Sequence, residues 1–240
     1  MPRTLRLHVV FDNVPEEPAL DTAWGFACLV TGADRTVLFD TGSDGDVLLA
    51  NLTTMGLDPA RIDDVVLSHE HWDHVDGLTA IVRQNPRVVV HPLRSFSEDF
   101  HQAVRHLEVP IHLVEGPRAI TGGIHTTGEV AGETPEQALV VETDDGLVVV
   151  TGCAHPGVVA MAEQAREALA RPLDLVMGGF HLRHHEPAAI DTVIGLLDEL
   201  GVARVAPSHC TGAEATGRFA EHWGDRHLPG GLGAVIAVPA

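Results

Sequence analysis

Residues 68–77, Ser-His-Glu-His-Trp-Asp-His-Val-Asp-Gly, place three histidines among carboxylates in a chain otherwise rich in valine, leucine and alanine. The apolar run Val65-Val66-Leu67 comes directly before them and predicts a buried strand. The apolar residues 77–82 that follow predict a helix. The polar cluster therefore lies where a strand ends and a helix begins, which is where open α/β folds bind ligands.

The spacing within this cluster is suited to metal ions. In an extended loop, residues two apart point the same way, so His69 and His71 are predicted to bind one ion. Asp73 and His74 fall at the turn into the helix and are predicted to face a second ion beside the first. Imidazole and carboxylate ligands suit zinc, iron or manganese. The alternative is a solvated loop that holds histidines by chance.

Length and composition narrow the class of protein. The 240 residues are 45% hydrophobic, which predicts one folded domain over residues 1–240. No apolar stretch reaches the roughly 18 residues that span a membrane, and we expect a cytoplasmic protein without a membrane partner. Three cysteines argue against a disulfide framework. The formal net charge of −19 argues against nucleic acid as a partner.

Side chains able to bind metal also follow three later predicted strands. They are Cys153, His155, His181 and His209. Two glycines precede His181, which indicates a close approach of the backbone to the site and places this histidine to touch a substrate or donate a proton.

The two halves, roughly 1–120 and 121–240, each read as strands followed by helices, with residues 230–238 as a closing strand. This pattern predicts an α/β fold, an αββα sandwich of two packed mixed sheets with outer helices.

The order His-x-His-x-Asp-His before an apolar helix resembles the metallo-β-lactamase fold superfamily, and Leu-Phe-Asp-Thr-Gly at 38–42 is a further match. The resemblance implies two divalent metal ions, expected to be zinc, with manganese or iron as alternatives. It assigns Asp40 to support of the metal-binding loop from behind. The implied ligands of the first ion are His69, His71 and His155, and those of the second are Asp73, His74 and His209.

The chain also departs from the pattern of that superfamily. Many members have a Gly-His-Thr-Pro stretch whose histidine binds the first metal, and Glu133 stands in that place here. Glu133 is either a replacement ligand or a solvated side chain, and His155 is interpreted as the substitute for the missing histidine. Cys153 stands where most members have an aspartate that bridges two metals. It is either a bridging thiolate or a small buried residue.

Three motifs resemble one branch of the superfamily, which includes 7,8-dihydropterin-6-methyl-4-(β-D-ribofuranosyl)aminobenzene 5′-phosphate synthase. They are Gly-Cys-Ala-His-Pro-Gly at 152–157, Gly-Gly-Phe-His-Leu at 178–182 and Pro-Ser-His-Cys-Thr-Gly at 207–212. The branch does not define the substrate.

The leading hypothesis is a hydrolase of a small-molecule ester, lactone or phosphoester that uses a metal-bound hydroxide, with Asp73 and His181 as catalytic residues. A transferase of the pterin-synthase type is the alternative. A redox di-iron protein is disfavoured because His71 stands where oxygen-reducing members carry glutamate. A non-catalytic ligand-binding relative is disfavoured by the nearly full ligand set. The oligomeric state is left open.

Overall fold

The computed structural model describes residues 4–240, which form two six-stranded sheets. Valine, leucine and phenylalanine dominate the strands, since branched and aromatic side chains fit a pleated, buried surface. The strands of the first sheet are β1 (Thr4–Asp12), β2 (Phe26–Thr31), β3 (Val37–Phe39), β4 (Asp64–Val66), β5 (Val89–His91) and β12 (Val235–Pro239). Those of the second are β6 (Arg118–Thr121), β7 (Ile124–Thr126), β8 (Leu139–Thr143), β9 (Gly146–Thr151), β10 (Leu173–Gly179) and β11 (Arg204–Ser208).

Both sheets are mixed. The first has the order β12-β1-β2-β3-β4-β5 and the second β11-β10-β9-β8-β7-β6. Strands β3, β4 and β5 are parallel, as are β9, β10 and β11, while the remaining neighbours are antiparallel. Strand β12 pairs with β1, so the closing strand belongs to the first sheet although it comes from the second half of the chain. The predicted division into halves is therefore only approximate.

Helices cover the outer faces of both sheets. They are α1 (Gly45–Thr54), α2 (Trp72–Val75), α3 (Leu78–Gln84), α4 (Glu98–Arg105), α5 (Val158–Leu169), α6 (Pro187–Glu199) and α7 (Ala213–Trp223). Short 3-10 turns lie at Pro59–Arg61, His209–Thr211 and Gly224–Arg226. Capping residues mark two helix starts, because Asp44 accepts backbone N–H groups before α1 and Ser97 does so before α4. Within residues 4–240, no helix has the length and apolar character needed to cross a membrane.

Three apolar cores hold these layers together. The central core lies between the sheets, where Val9 and Phe39 meet Val148 and Met177. One outer core packs α1 and α3 on the first sheet, and the other packs α5, α6 and α7 on the second. The predicted αββα sandwich is confirmed.

Candidate metal centre

The loop between β4 and α3 is fixed from behind by Asp40, which follows β3. Its carboxylate accepts hydrogen bonds from the Ser68 backbone N–H, the Ser68 hydroxyl and His74 Nδ1, each at 2.7 Å. Gly152 of the second sheet packs on the same group, where an added Cβ would overlap Ser68 Oγ. Asp40 is fully buried, and its placement matches the supporting role predicted for it.

Four histidines of the centre have Nδ1 held by an oxygen atom. Nδ1 of His74 lies 2.7 Å from Asp40 Oδ2, and Nδ1 of His209 lies 2.7 Å from Asn13 Oδ1. Nδ1 of His155 lies 3.0 Å from a carboxylate oxygen of Glu136.

The fourth case is His69, whose Nδ1 lies 2.8 Å from Ser68 Oγ. Because the Ser68 hydroxyl already donates to Asp40, it accepts from His69. In all four rings Nδ1 carries the proton that the oxygen requires, so Nε2 is the nitrogen that faces the centre and could bind a metal.

The free ring nitrogens converge with one sulfur and one carboxylate. Nε2 of His69 lies 3.1 Å from Nδ1 of His71. The Cys153 sulfur lies 3.3 Å from His74 Nε2 and 3.4 Å from His209 Nε2. Asp73 Oδ2 lies 3.7 Å from His74 Nε2 and 3.6 Å from His209 Nε2.

Among residues 4–240, three donor groups share Cys153, and two of them contain histidines predicted as ligands. Donor atoms of His69, Cys153 and His155 lie within 4.8 Å of one another, and so do those of His74, Cys153 and His209. The His71 ring packs beside His155, with ring centroids 4.8 Å apart. The structure thus places the six residues predicted as ligands close together, with His71 beside His69 and His155 and with Asp73 beside His74 and His209. Their role as ligands stays a prediction.

Glu133 lies elsewhere: it is exposed in the loop before β8 and belongs to none of the donor groups found within residues 4–240. The buried carboxylate of this loop is Glu136, which sequence reasoning missed. Its Oε1 accepts the backbone N–H groups of Cys153 and Ala154, and its Oε2 accepts that of His155. Glu136 therefore shapes the turn after β9 and orients the His155 ring, while the exposed position of Glu133 matches the solvated alternative.

The buried histidines of the centre differ in their pKa values. Burial alone would lower the pKa of His74, but the carboxylates of Asp40, Asp73 and Glu136 raise it to about 9. Burial and the neighbouring charge of His74 hold the pKa of His69 and His209 well below the ordinary value, so both rings are neutral. Burial would raise the pKa of Glu136, but His69 and the hydrogen bonds it accepts hold it well below its usual range.

His181 lies at the exposed edge of the centre. Its ring centroid is 4.4 Å from that of His155, and its donor atoms lie within 4.8 Å of the sulfurs of Cys153 and Cys210. A hydrogen bond with Cys210 raises the pKa of His181. A cavity of about 640 Å³ opens beside His181 and Cys210 and reaches Trp24.

This donor set fits divalent metal ions. Imidazole nitrogens, a carboxylate and a thiol face one another, and Nδ1 of four of the imidazoles is tied to an oxygen atom, as metal-ligating histidines require. A cation bound at Nε2 of His74 would displace the proton that its raised pKa places there. A hydrogen bond to Cys210 and burial raise the pKa of the Cys153 thiol, so a cation beside the sulfur would be needed to make it a thiolate.

A family model described as the metallo-beta-lactamase superfamily matches residues 25–209, and the chain belongs to that superfamily. The 7,8-dihydropterin-6-methyl-4-(beta-D-ribofuranosyl)-aminobenzene-5'-phosphate synthase of Methanocaldococcus jannaschii is 26% identical over 237 residues, covering 80% of this chain and 81% of that protein. An uncharacterised protein of the same organism, MJ0448, is 23% identical over 246 residues, covering 89% and 93%. The resemblance to this branch is thereby confirmed.

Among solved structures, that of Tm1679, a metal-dependent hydrolase of the beta-lactamase superfamily, matches with a TM-score of 0.83 at 28% identity. The match covers 98% of this chain and 100% of that one. The same two-sheet architecture is thus present over nearly the whole of both chains.

Proposed function

We propose that this protein is a metal-dependent hydrolase of a small-molecule ester, lactone or phosphoester. The observation that carries the proposal is the convergence of four oriented imidazoles on Cys153, two of which, those of His74 and His209, also face Asp73. The similarity to Tm1679, a metal-dependent hydrolase, supports it.

The residues that would hold two divalent ions, proposed to be zinc, form the two groups described above. The first ion would take His69, His71 and His155, and the second would take Asp73, His74 and His209, with the Cys153 sulfur between them. Divalent ions bound there would lower the pKa of water and polarise a carbonyl or phosphoryl oxygen.

Asp73 and His181 are the proposed catalytic side chains. The Asp73 carboxylate is largely buried and faces the Nε2 atoms of His74 and His209, which suits it to orient a water molecule and accept its proton. The exposed His181 borders the cavity, and its raised pKa favours the protonated form that can donate to a leaving group.

The test is hydrolysis of a panel of esters, lactones and phosphodiesters by the zinc-reloaded protein. His71→Ala should abolish metal-dependent turnover, because His71 Nδ1 faces His69 within the first group. His106→Ala changes an exposed histidine of the loop after α4 and should leave turnover unchanged. Full activity of His71→Ala would contradict the assignment of His71 as a metal ligand.

A transferase of the pterin-synthase type is the second candidate, and the similarity to the Methanocaldococcus jannaschii synthase favours it. In such a reaction the aminobenzene nitrogen, in place of water, would form a bond to the dihydropterin methyl carbon while the bond from that carbon to a diphosphate breaks and the diphosphate leaves. Incubation with a dihydropterin donor and a ribofuranosylaminobenzene phosphate, followed by mass spectrometry, distinguishes the two. A joined pterin–aminobenzene product supports the transferase, whereas hydrolysis products alone support the hydrolase.

A further inference from the structure

Arg183 stands between two cavities that both reach the metal centre. It lines the cavity of about 640 Å³ that borders His181 and Cys210. It also lines a second cavity of about 740 Å³ that borders Asn13 and His209. A small molecule bound in the first cavity would therefore lie beside both Arg183 and the His181 edge of the centre, whereas the second cavity lies on the Asn13 side of His209.

The position of Arg183 is fixed relative to the proposed ligand His209. Its guanidinium carbon lies 5.1 Å from the centroid of the Trp24 ring, a cation–π distance. Trp24 packs in turn on His209, with ring centroids 5.0 Å apart.

The backbone is fixed as well. The Arg183 N–H donates to the Cys210 carbonyl at 3.2 Å. Gly212 has a φ of +82°, and an added Cβ there would lie 2.8 Å from the Arg183 Cα. The guanidinium is thus held at the mouth of the centre by packing and by a ring face.

The charge of Arg183 is not neutralised within the protein. Across residues 4–240, no ion pair or side-chain hydrogen bond engages its guanidinium, and the side chain is exposed. Glu186 is the carboxylate that shares the cavity of about 640 Å³ with Arg183, together with His184 and His185, and Glu16 is the carboxylate that shares the second cavity. In a chain with a net charge of −19, a free guanidinium beside the site attracts anions that the rest of the surface repels.

We propose that Arg183 is a specificity-determining residue that binds an oxyanion of the substrate, either a phosphate or a carboxylate. The proposal rests on the proposed function, because it names the substrate class of that same centre. A planar guanidinium binds such groups through two parallel N–H···O bonds. The Trp24 ring covers the face of the guanidinium and leaves its N–H edge free for the anion. The anionic group would lie at Arg183 while the bond to be broken lies toward His181.

The test is calorimetric titration of the zinc-loaded protein with phenylphosphonate and with benzoate. Neither anion needs to react, so binding is measured independently of turnover. Arg183→Gln should weaken binding of at least one anion by about tenfold or more, since it removes a charge-assisted hydrogen-bonded pair. Arg183→Lys should bind the anion with intermediate affinity, because an ammonium retains the positive charge but lacks the planar pair of N–H donors.

Arg87→Gln is the matched control, since Arg87 is exposed and belongs to the loop before β5, outside both cavities. It should bind both anions like the wild type. If the affinity for phenylphosphonate depends on Arg183, the anionic group of the substrate is a phosphate. If the affinity for benzoate depends on it, the group is a carboxylate. Equal affinity of wild type and Arg183→Gln for both anions, or no binding by the wild type, would overturn the proposal. Arg183-dependent binding without hydrolysis of any panel substrate would instead overturn the hydrolase while supporting the anion site.

Discussion

At the scale of single residues, the centre depends on the oxygen atoms behind its histidines. Nδ1 of each of four rings is held by one such atom, and the four come from Ser68, Asp40, Glu136 and Asn13. Such partners determine which nitrogen is free and how the ring points, and their loss lowers metal affinity without removing a ligand. The supporting residues are therefore as informative to mutate as the ligands themselves.

Asp40→Asn should weaken zinc binding by roughly 10- to 100-fold. The carboxylate of Asp40 accepts three hydrogen bonds, and an amide nitrogen in place of one oxygen would face a donor. Competition with a chelating dye measures the affinity. Asp46→Asn changes an exposed carboxylate of α1 and should bind zinc like the wild type. An Asp40→Asn protein with undiminished affinity would remove the supporting role.

Cys153 is expected to bind metal through its sulfur, because the sulfur lies between the Nε2 atoms of His74 and His209. Cobalt substitution should give a sulfur-to-cobalt charge-transfer absorption in the near ultraviolet, and Cys153→Ala should lose it. Cys28→Ala, which changes a buried cysteine of β2, should retain it. If the absorption persists in Cys153→Ala, the sulfur is only a packed side chain.

Local spacing was enough to predict that His69, His71, Asp73 and His74 lie close together, because they belong to one short segment. The supporting groups could not be found in this way. Asn13 is 196 residues from the His209 that it orients. Nothing local distinguishes Glu136 from Glu133, since burial of Glu136 depends on backbone N–H groups of residues 153–155 that tertiary folding brings to it.

At the scale of elements, the site is built where strands end. Asp40, Ala154, His181 and His209 follow β3, β9, β10 and β11, and all four have positive φ, between 51° and 62°. This left-handed region is uncommon for residues other than glycine and persists where the surroundings impose it. The sequence indicated that metal-capable residues follow strands. It did not indicate the positive φ, because that conformation is expected at glycine and none of the four residues is glycine.

Asp64 at the start of β4 should make the protein sensitive to acid. Burial would raise its pKa, but hydrogen bonds from His91 and Arg35 and their charges hold it below its ordinary value. A carboxyl whose pKa is lower in the folded chain stabilises the fold above its unfolded pKa of about 3.9, and this contribution is lost as the pH falls through the folded pKa.

Asp64→Asn should therefore lower the free energy of unfolding at pH 7 by about 1–3 kcal/mol. The further decrease of that free energy in acid should be smaller than in the wild type. Urea unfolding at a series of pH values measures both effects. Asp99→Asn, an exposed change in the first turn of α4, serves as the control and should follow the wild type. Parallel curves for Asp64→Asn and wild type below pH 5 would contradict the ion-pair explanation.

At the scale of the whole molecule, two packed sheets bring distant strand ends to one edge. The sequence predicted this sandwich because strands and helices recur in both halves. It did not show that β12 returns to β1, since short apolar segments do not specify their partners. The chain carries 34 acidic side chains against 15 lysines and arginines, and the acidic excess lies mostly on the surface.

This acidic surface should exclude nucleic acid. At physiological ionic strength the net charge of −19 repels a phosphate backbone, and we expect no change in fluorescence anisotropy when labelled RNA or duplex DNA is titrated with zinc-loaded protein. Saturable binding of either would contradict the expectation and direct attention to polynucleotide substrates.

Metal content per chain, measured by elemental analysis after reloading with zinc and desalting, tests the two-ion centre most directly. The two proposed ligand sets on either side of Cys153 predict a value close to two for the wild type and for His106→Ala, and a lower value for His71→Ala. A wild-type value close to one would leave a single-metal site. A value close to zero would contradict the metal centre and, with it, the proposed hydrolase.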